Sequence, residues 1–134
     1  MTPRRILSLL FFAALALSTS AQAAVHQVEI VDFEFTPGNL TVAVGDSIRW
    51  VNNGDFEHTA TSGTDCAPDG EFDSGLLAPG DEFVYVVTAE DAGQTVPYFC
   101  MPHCQMGMAG SFTVEDENTP TKDASWGKIK NLFD

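Results

Sequence analysis

Positive charge is what this chain has least of. Six Lys and Arg stand against nineteen Asp and Glu in 134 residues, a net charge of −13. A surface this acidic repels the phosphates of nucleic acid and anionic lipid; it suits either a partner with a basic patch or a salty habitat in which the surface is simply solvated. Long apolar runs are also scarce: after residue 23 none is long enough to cross a bilayer. No sustained helical periodicity appears before residue 116, and there is no internal repeat or low-complexity linker. Histidine is limited to His26, His58 and His103, and cysteine to Cys66, Cys100 and Cys104. An odd cysteine count leaves one thiol over if two pair.

The one strongly apolar stretch lies at the start. Arg4 and Arg5 precede the run Ile6 to Leu17, and Ala21-Gln22-Ala23 has the small-x-small pattern of a cleavage site. This is the grammar of a secretory leader over residues 1–23, through either the general or the twin-arginine route. Removing it takes away Arg4 and Arg5 and leaves four basic residues against nineteen acidic ones, a net of −15. An exported, periplasmic or secreted chain meets oxidising conditions in which disulfides persist.

Short runs rich in β-branched and aromatic residues fill the rest. Strands are expected at Val25–Val31, Leu40–Val44, Ser47–Val51, Phe83–Thr88, Val96–Cys100 and Ser111–Val114. Turn residues separate them, as at Thr36-Pro37-Gly38-Asn39, Asn52-Asn53-Gly54-Asp55 and Ala78-Pro79-Gly80-Asp81. Strands this short and evenly spaced predict an all-β sandwich or barrel over residues 24–115. Residues 116–134 form a polar tail in which Trp126, Ile129 and Phe133 recur at helical spacing. That tail either packs as a short helix on the sandwich or serves to dock on a partner or touch a membrane.

The chemistry concentrates in Tyr98-Phe99-Cys100-Met101-Pro102-His103-Cys104-Gln105-Met106-Gly107-Met108. Cys100, His103 and Met108 bring a thiolate, an imidazole and a thioether to one loop between strands, and Pro102 argues against a helix there. A fourth ligand is available from His58, at the start of another extended segment, whereas His26 lies near the frayed end of the exported chain. Two imidazoles, a thiolate and a thioether are the ligand set of a blue-copper electron-transfer site. Zinc accepts the first three but rarely methionine.

The residues also carry a family resemblance. Phe35-Thr36-Pro37, Leu40-Thr41-Val42, Gly45-Asp46, Trp50-Val51-Asn52, His58-Thr59, Phe72-Asp73-Ser74-Gly75, Pro79-Gly80 and Tyr98 to His103, with Met108-Ala109-Gly110 before the last strand, occur in the order seen in cupredoxins. The chain most resembles the plastocyanin, pseudoazurin and amicyanin group. The resemblance implies an eight-stranded Greek-key β-sandwich holding one type 1 copper ion. It implies the metal ligands His58, Cys100, His103 and Met108, with Met106 as the alternative axial ligand. Met108 fits the register into the last strand; Met106 has the spacing that amicyanin-like proteins use. Cys100 and Cys104 around a histidine are also similar to a binuclear copper centre, but that centre needs a histidine where Met108 stands.

Cys104 is better paired with Cys66, which lies on the loop Ser62 to Asp69. If His58 and Cys100 share a metal, the two loops meet; two unpaired thiols are the alternative. Pro102 has no N–H to give the Cys100 sulfur, so the Thr59 N–H is the obvious donor. Thr59 stands where the family usually has asparagine. The resemblance further implies that His103 is the electron's exit, ringed by Met101, Pro102, Met106, Pro37 and Phe56 as a docking patch.

The function expected is therefore not enzymatic, since three histidines cannot build a second catalytic copper. It is carriage of single electrons between redox proteins with basic docking surfaces, such as a c-type cytochrome or a copper or quinone enzyme. The rivals are a periplasmic protein that binds or delivers copper without carrying electrons, and a subunit held on a membrane complex by its tail.

Overall fold

The computed structural model describes residues 22–116. Most of the expected leader and the helix expected in the tail lie outside the described residues. Among those described, no helix is long and apolar enough to cross a membrane.

The described residues form nine strands. They are β1 (Val25–Val31), β2 (Glu34–Thr36), β3 (Asn39–Val42), β4 (Ser47–Asn52), β5 (Thr61–Thr64), β6 (Ala67–Asp73), β7 (Glu82–Val86), β8 (Thr95–Phe99) and β9 (Ala109–Val114). They form two sheets in the orders β2-β1-β4-β7 and β3-β9-β8-β5-β6. The expected sandwich of eight strands is thus a sandwich of nine. All six expected strands are present, Val25–Val31 unchanged and no end moved by more than two residues. The additional strands are β2, β5 and β6. His58 makes only an isolated bridge to Leu77, and Cys66 sits in the tight turn of the β5–β6 hairpin rather than on an open loop. Residues Asp65 and Cys66 both have positive φ, as such a turn requires.

Alternation explains the strands that the sequence showed. In β4, Ile48, Trp50 and Asn52 are buried while the residues between them are half-buried, the period of two that a one-sided strand needs. The inward faces bury Val28, Ile30, Phe35, Trp50, Phe72, Tyr98 and Phe112. Tyr98 crosses Trp50 edge-on at 5.2 Å and Phe35 at 4.9 Å between centroids, geometries favoured by the ring quadrupole. Gly110 makes this packing possible: a Cβ there would lie 2.6 Å from the Tyr98 ring.

Two prolines show how the second sheet is limited. Pro68 lies in β6, at the sheet's edge, where a missing N–H breaks no ladder. Pro97 lies in the interior strand β8, but β5 pairs only with Tyr98 and Phe99 and stops short of it.

The sheets are also joined by a polar contact. The Tyr85 hydroxyl on β7 lies 2.9 Å from Glu71 of β6 and 3.0 Å from Asp91. One hydroxyl proton cannot serve two carboxylates. Burial, then the neighbouring Asp91, push the Glu71 carboxyl up to about 7. Against the pull of burial, hydrogen bonds from Glu71, Thr88 and Tyr85 hold Asp91 below its usual range. Glu71 therefore keeps a proton in the folded chain that it loses in the unfolded chain above its ordinary value of 4.5. Its stabilising contribution is complete below that value and disappears as pH rises through about 7. Urea unfolding across this range is expected to show a decline in stability that Glu71→Gln removes.

Candidate metal centre

Two segments from different sheets bring the donors together. The first leaves β4 at Asn52, which is fully buried. Its side-chain amide donates to the carbonyls of Phe56 and Leu77, both at 2.8 Å, and its oxygen accepts the Gly54 N–H at 3.0 Å. These bonds fold residues 53–57 into a compact turn. The paired backbone bonds between His58 and Leu77, at 3.1 and 2.8 Å, then hold His58 in place. The second segment leaves β8 at Cys100. The Cys100 N–H donates to the Met108 carbonyl at 3.0 Å, closing the loop at its base. Inside it, residues Cys104–Met106 make one 3-10 turn, which Gly107 ends at φ 85°, a left-handed conformation suited to glycine.

The donor atoms form a triangle. His58 Nδ1 lies 3.6 Å from Cys100 Sγ, His103 Nδ1 lies 3.4 Å from it, and the two imidazole nitrogens are 3.1 Å apart. Each corner of such a triangle is about 2 Å from a common centre, a first-row metal–nitrogen bond length. His58 and Cys100 are fully buried and His103 is half-buried. The fit to a soft, nitrogen- and sulfur-binding ion is therefore close.

Met108 is buried, with its N–H on the His103 carbonyl at 3.4 Å, whereas Met106 is 63% exposed. Thr59 contacts the ligand loop in two ways. Its backbone N–H donates to Cys100 Sγ at 3.4 Å, and its hydroxyl accepts the Met101 N–H at 2.9 Å, tethering the two segments. The hydroxyl is also linked to Thr61 and through it to Asp73, each at 2.9 Å. Cys66 and Cys104 form a disulfide with Cα atoms 5.7 Å apart, which fastens the β5–β6 turn to the 3-10 turn of the ligand loop. Cys100 is the one free cysteine. Met101, Pro102, Met106 and Phe56 are exposed around His103's segment, and Pro37 is exposed on the β2–β3 turn, where Gly38 accepts the Ser111 N–H.

Three residues of the centre escaped the sequence reading. Asn52 is the first. Asp32 is the second: it accepts from His58 Nε2 and from the Asp55 N–H, both at 2.9 Å. The His58 bond holds its carboxyl below the usual range. Phe33 is the third; its ring meets His103 edge-on at 4.8 Å and stacks on Phe56 at 5.6 Å. Because a carboxylate on Nε2 fixes the tautomer that leaves Nδ1 as ligand, Asp32→Asn is expected to weaken copper binding about tenfold or more, measured by competition with a chromophoric chelator.

The chain is similar to known proteins over the same residues. Residues 22–115 match the family described as copper binding proteins, plastocyanin/azurin family. A chloroplastic plastocyanin of Tetradesmus obliquus is 33% identical over 108 residues, covering 76% of this chain and 72% of that protein. The chloroplastic plastocyanin of Chlamydomonas reinhardtii is 34% identical over 109 residues, covering 76% and 73%. Among solved structures, a purple cupredoxin from Nitrosopumilus maritimus superposes with a TM-score of 0.60 at 24% identity, covering 67% of this chain and 99% of that one; this shows the shared fold. The family match, the two curated relatives and the His-Cys-His triangle agree: the chain belongs to the plastocyanin/azurin family of copper-binding proteins, the cupredoxins.

Proposed function

We propose that the chain is an exported, periplasmic carrier of single electrons, with residues 24–115 as its working domain. The observation that carries this reading is the donor triangle held by a frame of hydrogen bonds and a disulfide. His58, Cys100 and His103 would hold one copper ion, with Met108 as the fourth ligand and Met106 as the alternative. Copper bound there supplies a one-electron couple. The chain's own part is to keep the donors still. Asn52, Asp32 and the Leu77 bridge fix His58; Thr59 and the disulfide fix the loop of Cys100 and His103. A fixed mixture of nitrogen and sulfur donors suits both oxidation states, so little has to move.

Phe33 meets the half-buried His103 and stacks on Phe56, and with the exposed Met101 and Met106 of the ligand loop they offer apolar surface suited to brief docking. The acidic remainder steers a basic redox partner, in the manner of a c-type cytochrome or a copper or quinone enzyme. A copper-delivery protein, by contrast, works through exposed thioethers and imidazoles, whereas here the thiolate is fully buried.

Adding Cu(II) to the purified protein separates the two. An intense blue to purple or green colour, bleached by ascorbate and restored by an oxidant, supports the carrier. A colourless protein that takes up only Cu(I) overturns it. For the axial assignment, Met108→Leu is expected to change the visible spectrum and raise the potential, and Met106→Leu to leave both unchanged. The reverse pattern would move the ligand to Met106.

A further inference from the structure

A second cluster of metal-binding groups lies far from the copper centre. His26 Nε2 is 2.8 Å from Asp46 Oδ2, and the Ala24 nitrogen donates to Asp46 Oδ1 at 2.9 Å. The Asp46 carboxylate is held from behind by the Ala43 N–H at 3.0 Å and is only 7% exposed, so it cannot turn away. Burial acts against its ionisation, yet the bonds from Ala24, Ala43 and His26 hold its carboxyl below the usual range. The His26 side chain is 31% exposed, leaving a way in from solvent.

In the full chain the Ala24 nitrogen is an amide without a usable lone pair. Removal of residues 1–23 makes it an α-amine, which sheds its proton near neutral pH. An amine and an imidazole then stand one at each oxygen of a single carboxylate. Donors bound to one ion at about 2.0–2.1 Å and at right angles stand about 2.9 Å apart, close to the two spacings seen here.

We propose that leader removal completes a second metal site at the new N-terminus, in which the Ala24 α-amine, the His26 imidazole and the Asp46 carboxylate bind one divalent ion of the nitrogen-preferring class: Cu(II), Ni(II) or Zn(II). The ion would lie between the two carboxylate oxygens, taking up the lone pairs that the nitrogens free on losing their protons, and this needs no change in the pairing of the strand. Val25 and His26 remain paired with Ser47 and Ile48 of β4, and the Ser47 N–H stays on the Ala24 carbonyl at 2.9 Å. A chelate that wraps the first three residues round the ion through their amides would instead have to strip them from β4. The site lies about 20 Å along β1 from Asp32, so it is separate from the electron-carrying centre. It is hard and nitrogen-rich where the other is soft, and it contains no thiolate.

The proposal rests on the leader reading, and the test separates the two. The intact mass of the exported chain reports its terminus; any terminus other than Ala24 removes the site from the native protein. Copper-loaded protein beginning at Ala24 is then titrated with Ni(II) by calorimetry. One further equivalent is expected to bind. His26→Gln, or one glycine added before Ala24, is expected to weaken it by at least about tenfold. Val25→Pro removes an amide that only the wrapped chelate needs, and should leave affinity within about threefold. No bound Ni(II), or equal affinity in His26→Gln, overturns the site and leaves a salt-bridged clasp only. Loss of binding in Val25→Pro overturns the Asp46-centred geometry.

Discussion

Removing the Cys66–Cys104 bridge, as the double variant C66S/C104S, is expected to cost about 4 kcal/mol of stability. The cysteines are 38 residues apart in sequence, and closing a loop of that length removes roughly this much entropy from the unfolded chain at 25 °C. For a domain this small that is a large share of the whole. The bridge also has a local effect. It joins a turn with positive φ at Cys66 to the 3-10 turn that follows His103. Without it, the ligand loop depends on the Cys100–Met108 backbone bond and the Thr59 hydroxyl. The double variant is therefore expected to unfold at lower denaturant and, when copper-loaded, to show broader spectral features. Using two serines avoids a stray thiol beside a metal that prefers sulfur. A loss below about 1 kcal/mol would show that other contacts already restrict the loop.

Cys100→Ser is expected to abolish the intense colour while leaving the fold. Cys100 is fully buried at the end of β8 and receives the Thr59 N–H. Serine is close in size and can keep that hydrogen bond, so stability of the metal-free protein should change by no more than about 2 kcal/mol. A hydroxyl at this position is a hard, weak ligand in place of a thiolate. Copper would then be left with two imidazoles and the thioether of Met108. Circular dichroism of the metal-free variant checks the fold; the visible spectrum and the copper affinity check the site. Retention of the colour would mean that sulfur from elsewhere in the loop supplies it.

The candidate ligands were legible because their residue types are scarce. With three histidines and three cysteines, the spacing of Cys100, His103 and Met108 left few arrangements. The groups that hold them were not legible. Asp32 reaches His58 across 26 residues only because β1 and β4 run parallel with Val25 opposite Ser47 and Ile30 opposite Asn52. That register, carried two residues further, brings Asp32 beside Gly54 and Asp55. A Cβ on Gly54 would collide with the Asp32 carboxylate. No local pattern announces a pairing between strands so far apart. The same limit hid β5 and β6. Thr61–Thr64 and Ala67–Asp73 lack alternating apolar residues, and Pro68 and Gly70 argue against a strand. They hold as strands because β8 offers a partner for β5, while β6 at the edge needs to pair on one side only. Burial sharpened the choice between methionines in a way that spacing could not, since Met108 faces the core and Met106 faces water.

The most direct test of the account is a spectroelectrochemical titration of the copper-loaded protein beginning at Ala24. The account predicts an intense visible band that disappears and returns with the slope of one electron, at a single midpoint, over repeated cycles without loss of metal. A band that fails to return, or metal released on reduction, would contradict a fixed donor frame and favour copper delivery instead.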